Sequence, residues 1–134
     1  MKGKFITFEG LDGTGKTTQI QALKKSLEKE EIKVLTTREP GGTKLGEKIR
    51  NLIFENTDIS LETETLLLFS ARMEHLKKVI IPSLDRGEII LCDRFTDSTY
   101  AYQSGGDGLD EKKIEILEKW VNPHLQPDLT FYFN

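Results

Sequence analysis

The chain has 134 residues, 37% of them apolar and 31% charged, with a formal net charge of −3. That length and balance describe one ordinary globular domain, and mild acidity without a basic block excludes wholesale binding to nucleic acid or an anionic membrane. No apolar run approaches the roughly 18 residues of a membrane span and no signal-peptide core opens the chain, so a cytoplasmic protein is expected.

The first element is the apolar run Phe5-Ile6-Thr7-Phe8, which reads as a strand. It leads into Gly10-Leu11-Asp12-Gly13-Thr14-Gly15-Lys16-Thr17, with Gly, four spacers, Gly, Lys and a hydroxyl in the order of a phosphate-binding P-loop. Ile20, Leu23 and Leu27 follow at helical spacing, completing the strand, loop and helix that the motif requires. Glycines at 10, 13 and 15 let successive backbone N–H groups converge on phosphate oxygens, and the helix beginning near Lys16 adds its unpaired N–H groups. Lys16 then reaches the terminal phosphates as a mobile charge, and the Thr17 hydroxyl is suited to ligate Mg²⁺.

A second strand, Ile32 to Thr37, runs into the turn Arg38-Glu39-Pro40-Gly41-Gly42-Thr43. Leu45, Ile49, Leu52 and Ile53 mark a second helix. Ser60 caps a third, carrying Leu66, Leu67, Phe69, Met73, Leu76 and Ile80, and Pro82 is expected to kink or restart it before Gly87. Ile89-Ile90-Leu91-Cys92-Asp93 lacks polar alternation and suits a strand buried on both faces of a parallel sheet, with Cys92 as a small buried hydrophobe. Asp97 reads as the cap of a brief helix through Tyr102, Gly105 to Gly108 as a mobile loop, and Asp110 as the cap of a helix burying Ile114, Leu117, Trp120 and Val121. Leu129 to Phe133 is a fourth strand. His75 and His124 lack metal-ligand partners at useful spacing and read as surface or packing residues.

Strands alternating with helices long enough to cross back over the sheet define a parallel α/β three-layer domain occupying residues 1–134. A chain of this class ending on a strand suggests a fragment, or an edge covered by something else. In such sheets ligands bind outside the carboxyl ends of the strands, where Glu9, Arg38, Glu39, Asp93 and Arg94 fall. Asp93, an acid after a buried strand, is placed to hold Mg²⁺ through water, and Arg94 to steady phosphate charge.

Phe8-Glu9-Gly10-Leu11-Asp12-Gly13-Thr14-Gly15-Lys16-Thr17-Thr18, then Thr37 to Thr43, Asp93-Arg94-Phe95 and Ala101-Tyr102-Gln103 together resemble the thymidylate kinase family. The resemblance implies a P-loop NTPase fold with four of the family's usual five strands, and transfer of the ATP γ-phosphoryl to dTMP with Mg²⁺. It places Gly10, Gly13, Thr14, Gly15, Lys16, Thr17 and Thr18 on the ATP phosphates. Lys16, Arg94, Asp93 and Asp12 are the implied catalytic set, with Thr17 and Asp93 on the metal and Asp12 also on the sugar 3′-hydroxyl. Arg38, Arg50 and Arg94, with Glu39 nearby, gather at the acceptor phosphate. Tyr102 packs where a ribose 2′-hydroxyl would sit, and Phe69, Arg72, Thr99 and Gln103 address the thymine, although the stacking aromatic usually precedes the arginine by four positions and Phe69 precedes it by three. Gly13 stands where one branch of the family carries Arg, which implies that catalytic arginines come from a lid beyond Asn134. A homodimer is also implied. The competing readings are a nucleotide-binding fragment without turnover and a deoxynucleoside kinase.

Overall fold

A computed structural model describes residues 2–105 and 108–134. Gly106 and Asp107, in the expected glycine-rich loop, lie outside the described residues. Four parallel strands, β1 (Lys4–Gly10), β2 (Val34–Arg38), β3 (Ile89–Asp93) and β4 (Leu129–Phe133), form one sheet in the order β2-β3-β1-β4. The helices are α1 (Lys16–Lys29), α2 (Lys44–Glu55), α3 (Leu61–His75), α4 (Ile81–Asp85), α5 (Thr96–Gln103) and α6 (Glu111–Val121). This is the parallel α/β domain that the alternation of strands and helices implies, and among the described residues no helix is long and apolar enough to cross a membrane.

Burial explains the sequence pattern of the central strand. Ile90, Leu91 and Cys92 are fully buried because β3 pairs with β2 on one side and β1 on the other while helices cover both faces. On one face Phe5, Leu76, Ile80, Ile90, Cys92 and Phe95 form a cluster, in which Phe5 and Phe95 meet edge to face at 5.0 Å. On the other, Phe8, Ile20 and Leu91 seat α1 behind the loop that follows β1. Each such side chain contributes about 1.5–3 kcal/mol of hydrophobic stabilisation, so the strand ends that carry polar groups rest on a rigid base.

Caps follow the expected chemistry at Ser60 and Asp110, whose side chains accept from the Thr63 and Lys112 N–H groups, and Thr43 does the same for α2 through Gly46. Asp97 is not a cap. Helix α5 begins at Thr96 behind Phe95, which leaves Asp97 in the first turn, where its charge still meets the positive end of the helix. The long third helix breaks as expected at Pro82. The ladder widens into a π-helical turn over Leu76–Ile80, and α4 restarts with the proline in its first turn, where a missing N–H has no cost.

Candidate functional site

The loop between β1 and α1 stands at the carboxyl end of the central strands. Gly10, Gly13 and Gly15 all have positive φ, 140°, 79° and 92°, which explains glycine at each position. A Cβ at 13 or 15 would meet nothing within 4 Å, so backbone conformation and not crowding selects glycine there; at Gly10 a Cβ would also lie 2.5 Å from the Phe133 carbonyl oxygen. Thr14 folds inward, its hydroxyl donating to the Leu11 carbonyl at 2.7 Å. Lys16 is buried along its stem, and its Nζ donates to the Gly10 carbonyl at 2.8 Å.

Asp93 Oδ1 lies 3.0 Å from Lys16 Nζ, an ion-pair distance, yet no donor among the described residues meets it with hydrogen-bond geometry. A buried carboxylate oxygen in that condition, together with the Thr17 hydroxyl in the first turn of α1, is a hard-oxygen donor set that fits Mg²⁺ held largely through water and phosphate oxygens. Among the described residues no group of three or more His, Cys, Asp or Glu side chains forms a cage of its own. Thr18 is exposed on the same first turn.

Arg94 follows Asp93 with φ of 69°, the left-handed region that a residue other than glycine adopts only under constraint. Its N–H donates to Phe8 at 2.9 Å, so the end of β1 holds it there. The guanidinium swings over the loop, where Nη2 donates to Asp12 Oδ1 at 2.8 Å and its Cζ lies 5.7 Å from the Tyr102 ring centre.

Beside the loop opens a cavity of about 380 Å³ lined by Asp12, Glu39, Leu68, Arg72, Arg94, Thr99, Tyr102 and Gln103 among others. At its far end Arg72, 4% exposed, is held on three sides: Nε donates to Glu39 Oε1 at 2.6 Å, Nη2 donates to Thr99 Oγ1 at 2.8 Å, and the plane lies between Phe69 and Phe95 at 5.1 and 4.7 Å. Arg72 Nη1 has no partner among the described residues. Gln103 is buried beside it and donates to Glu64 at 2.8 Å and Thr65 at 3.1 Å. Burial pushes the Glu39 carboxyl upward, but the charge of Arg72 and the hydrogen bond from His75 outweigh it and leave the group below the usual carboxylate range.

The structure therefore brings Asp12, Glu39, Arg72, Arg94, Thr99, Tyr102 and Gln103 around one cavity. Arg38 and Arg50 do not line it. Arg38 Nη2 pairs with Glu47 at 2.5 Å on the surface, while Arg50 donates to the Pro40 carbonyl at 2.9 Å and covers the Phe54 ring. Burial, then the positive charge of Arg38 and also that of Arg94, holds the Arg50 guanidinium below its ordinary range, so the three cations share one field. Phe69 points the other way from expectation. It is 2% exposed in the core beneath Arg72, and the aliphatic Leu68 lines the cavity in its place.

Two buried polar residues make contacts that the sequence does not assign to them. His75 is a packing residue and not a surface one: it is fully buried, with Nδ1 2.7 Å from Glu39 Oε2 and Nε2 2.6 Å from Thr37 Oγ1. Its spacing from Arg72, i to i+3 on α3, was the available signal. Glu9, 5% exposed, accepts the Phe95 N–H at 2.9 Å and the Ser98 hydroxyl, tying β1 to the helix that carries Thr99, Tyr102 and Gln103. Burial raises its carboxyl above the usual range against those two hydrogen bonds. His124, by contrast, is exposed as expected.

A β2-β3-β1-β4 parallel sheet with a glycine loop, a buried lysine and an acid at the ends of its central strands defines a P-loop nucleotide-binding domain. Comparison with known proteins narrows the class. The thymidylate kinase family model matches residues 8–134, and the chain belongs to that family. It is 52% identical over 134 residues to the thymidylate kinase of Methylobacillus flagellatus, covering 100% of this chain and 66% of the relative. It is also 52% identical to that of Nitrosomonas eutropha, covering 99% and 62%. A crystal structure of thymidylate kinase from Ehrlichia chaffeensis superposes with a TM-score of 0.91 at 44% identity, over 100% of this chain and 72% of that one. The chain thus spans 62–66% of the length of these two curated relatives.

Proposed function

We propose that the protein transfers the γ-phosphoryl group of ATP to dTMP, giving dTDP, with Mg²⁺ at the phosphates. The observation that carries this reading is the cavity that joins Arg94, a cation beside the P-loop, to a buried end lined by the guanidinium of Arg72, whose Nη1 has no partner among the described residues. Gly10, Gly13, Thr14, Gly15, Lys16, Thr17 and Thr18 cradle the ATP phosphates. Asp12, 92% exposed at the mouth, accepts from the sugar 3′-hydroxyl once Arg94 turns to phosphate. Arg38, Arg50 and Arg94 supply the positive field for the acceptor phosphate, and Tyr102 sits beside the sugar. Mg²⁺, held from Thr17 and Asp93, would neutralise charge on the donor phosphates. The protein's share of the chemistry is to place acceptor oxygen and γ-phosphorus in line and to stabilise charge spreading over the transferred group.

Incubating the chain with labelled ATP and dTMP, thymidine, dUMP or dCMP tests the reading, with dTDP and ADP as the expected products. Phosphorylation of thymidine but not dTMP would refute it, and so would binding of both nucleotides without ADP formation. The same reading implies a cytoplasmic enzyme acting as a homodimer without nucleic-acid or membrane partners. Leu45 and Leu52 on α2, Leu66 on α3, and Ile116 and Trp120 on α6 are exposed apolar side chains that self-association could cover. A monomer by light scattering at high micromolar concentration would count against the dimer.

A further inference from the structure

The buried imidazole of His75 touches neither the cavity nor any proposed substrate position, yet it stands where two arms of the site meet. One arm runs from Nδ1 to Glu39 Oε2 at 2.7 Å, from Glu39 Oε1 to Arg72 Nε at 2.6 Å, and from Arg72 Nη2 to Thr99 at 2.8 Å. The other is steric. A Cβ at Gly42 would fall 2.2 Å from Nε2, so the imidazole is packed directly against the turn following Glu39. That turn is held by Glu47 Oε2, which accepts the Gly42 N–H at 2.9 Å, while Glu47 Oε1 holds Arg38 at 2.5 Å.

We propose that His75 is the positioning residue that makes Arg72 discriminate the acceptor base, a role that rests on the dTMP reading above. A carboxylate only accepts, so the hydrogen between His75 and Glu39 sits on Nδ1. With Nε2 anchored to Thr37 on β2, the ring is fixed at both nitrogens, and the Glu39 carboxylate cannot rotate about its own axis. Glu39 and Thr99 then occupy Nε and Nη2 of Arg72 and leave Nη1 as its one unpartnered nitrogen among the described residues.

Consequences for the base follow from donor and acceptor chemistry. A guanidinium offers donors and no acceptor. A pyrimidine with a carbonyl at position 4 brings an acceptor to the guanidinium that lines the cavity, whereas one with an amino group there sets donor against donor and leaves a buried charge unpaired. That contrast is sharp only if the guanidinium cannot turn away. Phe69 and Phe95 fix its plane, and Glu39 fixes its rotation within that plane, but only while His75 fixes Glu39. A loose Glu39 lets Arg72 swing and tolerate the wrong base.

Calorimetric titration of the chain with dTMP and dCMP, with protein concentration corrected to the folded fraction, tests this. His75→Leu should weaken dTMP by about tenfold and compress the dTMP-to-dCMP affinity ratio by about the same factor. His75→Gln, whose amide can still donate to Glu39, should restore part of the ratio. Thr37→Val leaves the Glu39–Arg72 pair untouched and nearly conserves volume, so it should fold; it should reduce the ratio by about threefold even if His75→Leu does not fold. In the parent protein, dTMP should shift the His75 Nδ1–H resonance. A group that merely supports the fold would lower the urea midpoint of these variants and leave the base ratio alone. Parent discrimination in Thr37→Val or His75→Leu, or an unmoved imidazole resonance on saturation with dTMP, would overturn the proposal while leaving the kinase reading intact. Failure of the parent chain to bind dTMP at all would overturn both.

Discussion

Removing Glu39 leaves the Arg72 guanidinium 96% buried with Thr99 as its remaining hydrogen-bond partner and Nη1 already unpaired, so the charge has no counter-ion where water cannot replace one. Breaking a buried ion pair from one side costs about 3–5 kcal/mol, a large part of the stability of a domain this size. With a urea dependence of about 2 kcal/mol per molar, Glu39→Ala should move the midpoint down by about 2 M. Glu39→Gln keeps the shape and one acceptor for Arg72 Nε but loses the charge and turns an amide NH2 toward the His75 Nδ1–H, so about 1.5–3 kcal/mol is expected. Acid should separate the variants in a second way. Because the folded carboxyl lies below its unfolded value, the native state binds fewer protons, so its contribution is present above the unfolded pKa of 4.5 and is lost as pH falls through the folded value. The parent midpoint should therefore approach that of Glu39→Gln on acidification below about pH 4. A Glu39→Ala midpoint within about 0.3 M of the parent at pH 7, or a gap between parent and Glu39→Gln that does not change with pH, would refute the reasoning.

Lys16→Met keeps the buried stem and removes the charge that meets Gly10 and Asp93, so folding should survive while Mg-ATP affinity, read by calorimetry, falls by at least about tenfold; unchanged affinity would remove Lys16 from the phosphate site. Glu9 has the opposite sign from Glu39. Its raised carboxyl means that the native state holds a proton longer, so its cost is present above the folded pKa and disappears as pH falls below the unfolded 4.5. Gln at position 9 can still accept from Phe95 and donate to Ser98, so Glu9→Gln should melt higher than the parent at pH 7, with the difference closing toward pH 4; a lower melting temperature at pH 7 would show that the charge is needed.

Those two glutamates also show where sequence reading stops. The P-loop, the turn after β2 and the acid and arginine after β3 were legible because each couples a strand end to a residue type with one chemical use, and the four strands followed from runs rich in apolar and β-branched residues. Glu9 and Glu39 stand at the same strand ends, but whether such an acid faces phosphate or closes inward depends on what arrives from elsewhere in the chain. Phe95 and Ser98 reach Glu9 across 86 and 89 residues, and Arg72 and His75 reach Glu39 across 33 and 36. Helical period alone could not separate Leu68 from Phe69 either, since neighbours differ by about 100° around α3. Phe69 and Phe95 both flank Arg72, and only the folded chain shows that the aromatic at 69 goes beneath the guanidinium and the aliphatic at 68 into the cavity.

The cations around the loop also rank themselves by how readily they can turn to phosphate. Arg94 is bonded to Asp12, whose carboxylate is 92% exposed, so that pair is screened by water and worth at most about 1 kcal/mol. A phosphate dianion carries more charge and takes a guanidinium in bidentate fashion, so exchange favours it. Lys16 is more deeply seated, between the Gly10 carbonyl and Asp93, and a triphosphate that draws it away leaves a carboxylate to be neutralised. A divalent cation held at Asp93 would supply that neutralisation. On the proposed function, nucleotide and metal are expected to bind together at the loop, while the acceptor end, where Arg94 Nη2 meets the exposed Asp12 carboxylate at 2.8 Å and the Gly10 carbonyl at 3.4 Å, is expected to take a phosphate without metal. Calorimetry should show dTMP affinity unchanged by EDTA and ATP affinity collapsing with it.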